Sequence, residues 1–316
     1  MTHMPRRQSL HLTFLLSLFF LACITGCSGL KDKTIKPVPE PPSFSEFVKN
    51  YNTNLEHLDR IWARTVVVLR WADEDGNKHK EQGEGHFQFV LYPTSEKGGS
   101  KETLRSPAKI AFDVGKLGNI GYWLGCDADR FWWIDAQDTH TAYVAKHSNL
   151  FRPCCRTLNL PFHPLEMIEL LALTPLSETA STGRIEINKR GNAWVVTVDS
   201  LFSKKRMIFD PHTNSVTRVE LLDRTGKPVI WSELTEYEPM EITGLSPDRW
   251  PSLPRIIYFH QSDDEMQAKI SFSGVTDASR DRRKLRDAAF NFEIVRRGLG
   301  IQDTVILDAD CEGEAG

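Results

Sequence analysis

Apolar and polar residues alternate along much of the chain, from residue 64 to about residue 259. In the segment 86–92, every second residue is apolar: Phe87, Phe89 and Leu91. Side chains of an extended strand point alternately to its two sides, so a period of two gives each strand one apolar face. Turn-forming sequences such as Asp75-Gly76-Asn77 and Asp223–Gly226 separate the apolar runs. Short strands joined by tight turns predict an antiparallel meander of roughly ten strands, a mainly β (α+β) fold.

Two segments have helical periodicity instead. Apolar residues lie three and four positions apart over Phe44–Trp62, and Ser43 with Glu46 forms a capping-box motif before them. Residues 161–176 are rich in leucine, and Pro164 suits the first turn of a helix. We therefore expect an amphipathic helix of about five turns near the N-terminus and a short helix inserted in the sheet. Both need a surface to bury their apolar sides, so we place them on the concave face of a curved sheet. The polar segment 273–287 is predicted to be an exposed loop.

The N-terminus resembles a bacterial lipoprotein signal. Two arginines precede an apolar stretch, which ends in Ile24-Thr25-Gly26-Cys27. The resemblance implies that residues 1–26 are a signal peptide and that Cys27 carries a diacylglycerol as the mature N-terminus. The alternatives are an ordinary signal peptide or a membrane-spanning helix, but the apolar stretch is shorter than the roughly 20 residues that a span needs. Cys23 is a weaker candidate, because bulky Phe20 stands at its aliphatic position.

Residues 27–42 contain four prolines among lysines and small residues, a composition that cannot form a core and predicts a proline-rich tether. Ser28 stands where lipoproteins retained in the inner membrane of many bacteria carry Asp. The resemblance therefore implies an outer-membrane lipoprotein, lipid-anchored and facing the periplasm. The folded domain would span residues 43–316.

Four cysteines lie beyond the predicted anchor: Cys126, Cys154, Cys155 and Cys311. An exported chain meets an oxidising environment, which favours disulfides. Adjacent cysteines bridge each other only with strain, so Cys154 or Cys155 is expected to pair with Cys126 or Cys311. The spacing does not determine which pair forms. The formal net charge of −3 gives no support to a nucleic-acid partner.

Sequence motifs for catalysis are scarce. The sequence has no H-E-x-x-H, no G-x-S-x-G and no Walker loop. Asp127, Asp129 and Asp135 lie near one predicted hairpin turn and could hold a cation, but turn chemistry explains the first two more simply. We therefore predict a non-enzymatic protein with no cofactor and no metal.

Several segments carry a recognisable pattern. The first is the aromatic hairpin Tyr122–Trp133 with its acidic turn, and the second is the meander that starts at Arg206–Pro211. Leu253–Ile257 and the C-terminal runs Phe290–Phe292 and Asp303–Ile306 follow them. Together these segments resemble the LolA-like and LolB-like lipoprotein-handling proteins. The resemblance implies an unclosed antiparallel β-barrel, or half-barrel, whose mouth is covered by helices and whose apolar cavity receives acyl chains.

The candidate cavity residues are aromatic: Phe89, Phe112, Trp123 and Trp133. They could equally be ordinary core and cross-strand pairs, which β-sheets favour. The leading hypothesis is a membrane-anchored lipoprotein that binds a lipid or a lipoprotein acyl chain. The alternative is an envelope scaffold with a filled core and no ligand, whose surface binds an envelope protein. The presence of an apolar cavity of several hundred Å³ would distinguish the two.

Overall fold

The computed structural model describes residues 38–72, 75–92, 108–150, 152, 155, 163–177, 183–200, 203–262, 267–278 and 286–314. The predicted signal peptide, Cys27 and most of the predicted tether lie outside these residues. Within the described ranges, no helix is long and apolar enough to cross a membrane.

The described residues form one sheet of fourteen strands with three α-helices. The helices are α1 (Phe44–Leu55), α2 (Pro164–Leu170) and α3 (Phe292–Gly298). The strands are β1 (Arg60–Ala72), β2 (Lys78–Leu91), β3 (Ala108–Lys116), β4 (Asn119–Cys126), β5 (Arg130–Asp135), β6 (Thr141–Lys146), β7 (Arg184–Ile187), β8 (Trp194–Asp199), β9 (Lys204–Phe209), β10 (Val216–Leu222), β11 (Pro228–Pro239), β12 (Ser252–Gln261), β13 (Gln267–Asp277) and β14 (Asp303–Ile306).

The strand order is β14-β6-β5-β4-β3-β2-β1-β13-β12-β11-β10-β9-β8-β7. Strands β14 and β7 are the two ends of this order, so the sheet is unclosed and the predicted half-barrel architecture is confirmed. Neighbours pair in antiparallel fashion, except that β14 lies parallel to β6. The prediction of a wholly antiparallel sheet was therefore wrong at this edge, because β14 follows α3 and enters the sheet by a crossover.

The alternation of residues along the strands gives the sheet two buried faces. The inner face, which α1 and α2 cover, carries Phe87, Phe89 and Phe112, all part of the larger core cluster. The outer face carries Trp123 and Trp132, which belong to a smaller cluster with residues of α3. Successive strand residues point to opposite sides, so one sheet supports both cores.

The first helix is shorter than predicted. Helix α1 ends at Leu55, and β1 begins at Arg60, so the expected helix over Phe44–Trp62 was wrong in its last third. The residues from Arg60 onward pair with β2 on one side and β13 on the other, which supplies ladder hydrogen bonds on both edges. Leu58 and Ile61 are buried, and their spacing of three also fits a helical stripe.

One further prediction changes in the structure. Residues 273–277, expected in an exposed loop, continue β13 and pair with β1. The run Phe290–Phe292 leads into α3, where the Asn291 side chain accepts a hydrogen bond from the Ile294 amide and caps the helix.

The cysteines only partly follow the expected pairing. Cys311 is disulfide-bonded, and the predicted candidate Cys154 lies outside the described residues. Cys126 and Cys155 carry thiols, so the predicted candidate pairings with Cys126 do not form. The buried Cys126 thiol instead donates a hydrogen bond to the Ala108 carbonyl oxygen, 3.6 Å away.

Candidate functional site

Helix α1 lies on the inner face, as its apolar stripe predicts. The Ser43 side chain accepts a hydrogen bond from the Glu46 amide and caps the helix. Phe47 is buried and packs edge-on against Phe209 of β9, with ring centroids 4.7 Å apart. The Tyr51 hydroxyl donates a hydrogen bond to the Ala172 carbonyl oxygen at 2.7 Å. The apolar side of α1 therefore packs on the sheet and on the segment that follows α2.

Two asparagines fix α1 further through paired hydrogen bonds. The Asn52 amide donates to the Leu176 carbonyl and accepts from the Leu176 backbone amide, each at 2.9 Å. Asn54 makes the same double contact with the backbone of Ser252 at the start of β12. Each such hydrogen bond contributes about 1 kcal/mol to stability. Helix α1 is therefore held by several individually weak hydrogen bonds, which can be broken one at a time.

Helix α2 packs on the inner face of the sheet, against β10 and β4. Six of its seven residues are buried, including Leu165, Met167 and Ile168. Its N-terminus forms a capping box in which His163 Nδ1 accepts from the Leu165 amide, while Glu166 accepts from the His163 amide. The interior of the half-barrel is thus occupied largely by the protein's own inserted helix.

A set of four polar side chains, the polar group, lies under α2 and consists of Lys205, Glu169, Thr174 and Ser232. The Lys205 ammonium on β9 donates to the Thr174 hydroxyl at 2.5 Å and lies 3.9 Å from the Glu169 carboxylate. The Ser232 hydroxyl on β11 donates to the Leu170 carbonyl oxygen. Burial lowers the pKa of Lys205, and the nearby Glu169 carboxylate opposes that shift. These contacts connect the C-terminal end of α2 and the residues after it to β9 and β11.

Two histidines near the start of α2 make the fold sensitive to acid. Burial holds the pKa of His163 well below its usual value, with a smaller contribution from His147, and burial also lowers the pKa of His147. These two histidines therefore bind more protons in the unfolded chain than in the folded one near and below pH 6.5. The stability contributed by the neutral imidazoles is complete above about pH 6.5 and is lost as the pH falls below it.

We predict that His163→Asn reduces the loss of thermal stability between pH 7 and pH 5, because Asn caps the helix without titrating. The neighbouring Glu166, whose pKa is raised by burial, is present in both proteins and cancels in the comparison. Melting temperatures measured across this range test the prediction, with the exposed His212→Asn as control. If acid lowered the melting temperature of His163→Asn as much as that of the parent protein, the prediction would be contradicted.

Two main cavities and a small space lie on the inner face. The helix cavity, of about 240 Å³, lies beside α1 and is lined by residues that include Phe47, Tyr51, Leu171 and Tyr237. The sheet cavity, of about 80 Å³, is lined by Val67, Leu69, Phe112, Val114, Tyr122, Leu124, Trp133, Ala268 and Ile270. Every residue that lines the sheet cavity is aliphatic or aromatic, so it suits an apolar ligand.

Two phenylalanines lie between the cavities. Phe87 and Phe272 stack with ring centroids 5.3 Å apart, and Phe87 lies 6.4 Å from Phe112 of the sheet cavity. Both rings also line a space of about 10 Å³ that shares Leu171 and Leu173 with the helix cavity. The Phe87–Phe272 pair therefore lies between the sheet cavity and the helix cavity.

The structure brings together two of the four predicted cavity residues. Phe112 and Trp133 line the sheet cavity. Phe89 is fully buried in the same core cluster but lies outside both cavity linings. Trp123 belongs to the outer-face cluster, because it is one residue out of phase with Leu124 on β4. Sequence reasoning missed the aliphatic lining from β1 and β13, because only the register of the two strands, which pairs Val67 with Ile270, shows that these residues share a face.

The acidic residues near the aromatic hairpin stabilise the turns in which they lie. The Asp127 carboxylate accepts hydrogen bonds from the amides of Asp129 and Arg130. The Asp135 carboxylate accepts from the amides of Gln137 and Asp138. Such contacts are typical of Asx turns and explain why aspartates occupy these positions.

The fold resembles that of solved bacterial proteins. A DUF1329 family protein from Desulfovibrio piger superposes with a TM-score of 0.50 at 10% identity, over 84% of this chain and 99% of its own. A domain assigned to outer membrane lipoprotein sorting, from Vibrio parahaemolyticus, gives a TM-score of 0.51 at 12% identity, over 80% of this chain and 98% of its own. No family model and no curated protein matches the sequence. The two superpositions agree with the half-barrel fold predicted from sequence.

Proposed function

We propose that this chain is a lipid-anchored protein of the bacterial envelope whose half-barrel binds an acyl chain, from a lipid or a lipoprotein, on its inner face. The observation that carries the proposal is the wholly apolar sheet cavity, which contains the predicted residues Phe112 and Trp133. An acyl chain has no polar group to pair, so an apolar lining is the environment that retains it. The same fold in a domain assigned to lipoprotein sorting supports this proposal.

Binding requires a change in the inner face. The sheet cavity of about 80 Å³ is smaller than the roughly 150 Å³ cavity that accommodates benzene in an engineered protein. The Phe87–Phe272 pair would have to turn aside to join it to the helix cavity, giving a path at the lower end of the ~300–1,000 Å³ typical of ligand pockets. Each acyl methylene moved from water into this path contributes roughly 0.8 kcal/mol, so a few methylenes could offset the rearrangement.

Filling the sheet cavity tests acyl binding. We expect Ala268→Leu, which extends a buried lining residue into the cavity, to weaken binding of a dansyl-labelled undecanoic acid about tenfold or more. Fluorescence titration of the purified protein measures this, and Ala193→Leu in the turn between β7 and β8 is the matched control. Equal affinity in both variants and the parent would exclude the sheet cavity as the site.

The proposed anchor has a test of its own. Cys27 follows an aliphatic residue and two small residues, and a proline-rich segment follows it. We expect Cys27→Ala to abolish metabolic labelling by an alkyne fatty acid and to leave the protein unanchored, while Cys23→Ala keeps both. Labelling retained in Cys27→Ala, or shifted to Cys23, would contradict the assignment.

The alternative of an envelope scaffold is supported by the filled interior. Helix α2 and its aromatic neighbours occupy most of the inner face, and a scaffold needs no further space there. A protein that binds no labelled fatty acid, in the parent as well as in the variants, would favour this second function.

A further inference from the structure

The outer face carries a groove that the acyl-binding proposal does not use. It has a volume of about 680 Å³ and lies between strands β1–β4 and the segment 286–299. This volume is within the ~300–1,000 Å³ typical of small-molecule sites. One side is aliphatic, with Val295 and Leu299 of the α3 region, and the sheet supplies aromatic and polar side chains.

The polar side chains of the groove come from neighbouring strands. The pairing register places His86 opposite Asp113 and Asp113 opposite Trp123 across β2, β3 and β4. In the adjacent row, Trp62 on β1 is opposite Gln88 on β2. The side chains of Trp62, His86 and Gln88 on β1 and β2 therefore share one surface with those of Asp113 and Trp123 on β3 and β4.

A buried carboxylate lies at the centre of this surface. Asp113 is only 6% exposed, and its carboxylate lies 3.2 Å from His86 Nδ1. Burial raises the pKa of Asp113, and the contact with His86 opposes the rise. The His86 ring also lies against Trp62, with centroids 5.5 Å apart.

Two other buried groups of the groove have unused hydrogen-bonding capacity. Gln88 and Trp123 are each 8% exposed. The Gln88 side-chain oxygen and the Trp123 indole nitrogen have no hydrogen-bond partner within the described structure. An unpaired buried donor or acceptor costs about 1–3 kcal/mol, so two in one groove indicate a partner that supplies both functions.

The chemistry of these groups discriminates between ligand classes. An anion would meet the Asp113 carboxylate and leave the Gln88 oxygen unpaired. A cation would leave the Trp123 N–H unpaired and share the groove with Arg286. A hydroxyl group both donates and accepts, so a neutral polyhydroxylated molecule pairs with both.

We propose that this outer groove binds a neutral saccharide. Its hydroxyl groups would bond to Asp113, Gln88 and the Trp123 N–H, and its apolar ring face would pack on the Trp62 indole. The groove lies on the opposite face of the sheet from the sheet cavity, so this proposal stands or falls independently of acyl binding.

Titration of the full-length protein with maltotriose, cellotriose and N,N′-diacetylchitobiose tests the proposal. We expect at least one of them to bind saturably in isothermal titration calorimetry, a readout that does not depend on the tryptophans that the variants remove. Trp123→Phe, which keeps the ring and removes the indole N–H, should weaken that binding about fivefold to tenfold. Trp62→Ala should weaken it by at least as much.

The controls separate binding from folding. Trp71, like Trp62, lies on β1, but it stacks on His79 at the other end of the β1–β2 hairpin. The Trp71→Ala variant should therefore bind the saccharide as tightly as the parent protein. Choline chloride and sodium acetate should not bind. Absence of binding by all three saccharides, unchanged affinity in a folded Trp123→Phe protein, or saturable binding of choline or acetate instead would overturn the proposal. Loss of saccharide binding in Ala268→Leu would contradict the independence of the two sites.

Discussion

Phe47→Asp is expected to lower the free energy of unfolding by at least about 3–5 kcal/mol, because it removes a buried aromatic ring and places a carboxylate against Phe209. Phe47 is 4% exposed on the side of α1 that faces the sheet, so the new charge cannot reach water while the helix stays in place. Chemical denaturation measures the change. The control is Lys49→Asp, which places a carboxylate at an exposed position two residues away.

A different outcome would change the role of α1. If Phe47→Asp unfolded at nearly the same denaturant concentration as Lys49→Asp but lost the labelled fatty acid, α1 would be a mobile lid. In that case the hydrogen bonds of Asn52 with Leu176 and of Asn54 with Ser252 would hold it only weakly. Unchanged stability together with unchanged binding would show that the Phe47 side of α1 packs on nothing.

The second large effect is expected at the polar group under α2. Lys205→Met should cost about 3–5 kcal/mol, because it leaves the Glu169 carboxylate buried without this lysine. Both side chains are only 3% exposed. The double variant Lys205→Met/Glu169→Gln removes both charges and should recover a substantial part of the loss.

Equilibrium unfolding of the two single variants and the double variant completes this cycle. Lys204→Met, at the exposed neighbouring position of β9, is the control and should change stability by less than about 0.5 kcal/mol. A double variant whose loss equals the sum of the single losses would show that Lys205 and Glu169 do not interact.

Local sequence signals predicted the starts of elements better than their ends. The Ser43 and Glu46 pair marks the beginning of α1, where side-chain capping depends on residues three positions apart. The end of α1 could not be read, since Leu58 and Ile61 suit both a helical stripe and a strand face. The pairing of β1 with β2 and β13 decides between them, and that pairing joins residues far apart in sequence.

The candidate sites show the same limit. Period-two alternation separates Phe112 from Asp113, and the structure places them on opposite faces as expected. Alternation within one strand does not say which residues of other strands share that face, so Trp123 was grouped with Phe112 although it lies beside Asp113. The outer groove could not be predicted from the sequence, because a lone Asp or Gln in a strand is typical of a solvated face and the strands that share that face were unknown.

Photo-crosslinking tests the central claim, that the inner face binds an acyl chain, most directly. Cells expressing the full-length protein would be fed a diazirine-bearing fatty acid and irradiated, and the modified residues would be identified by mass spectrometry. The account predicts crosslinks at residues that line the sheet cavity, such as Val67, Phe112 and Ile270, and their loss in Ala268→Leu. Crosslinks confined to the N-terminal cysteine or to the outer face, with none on the inner face, would contradict it.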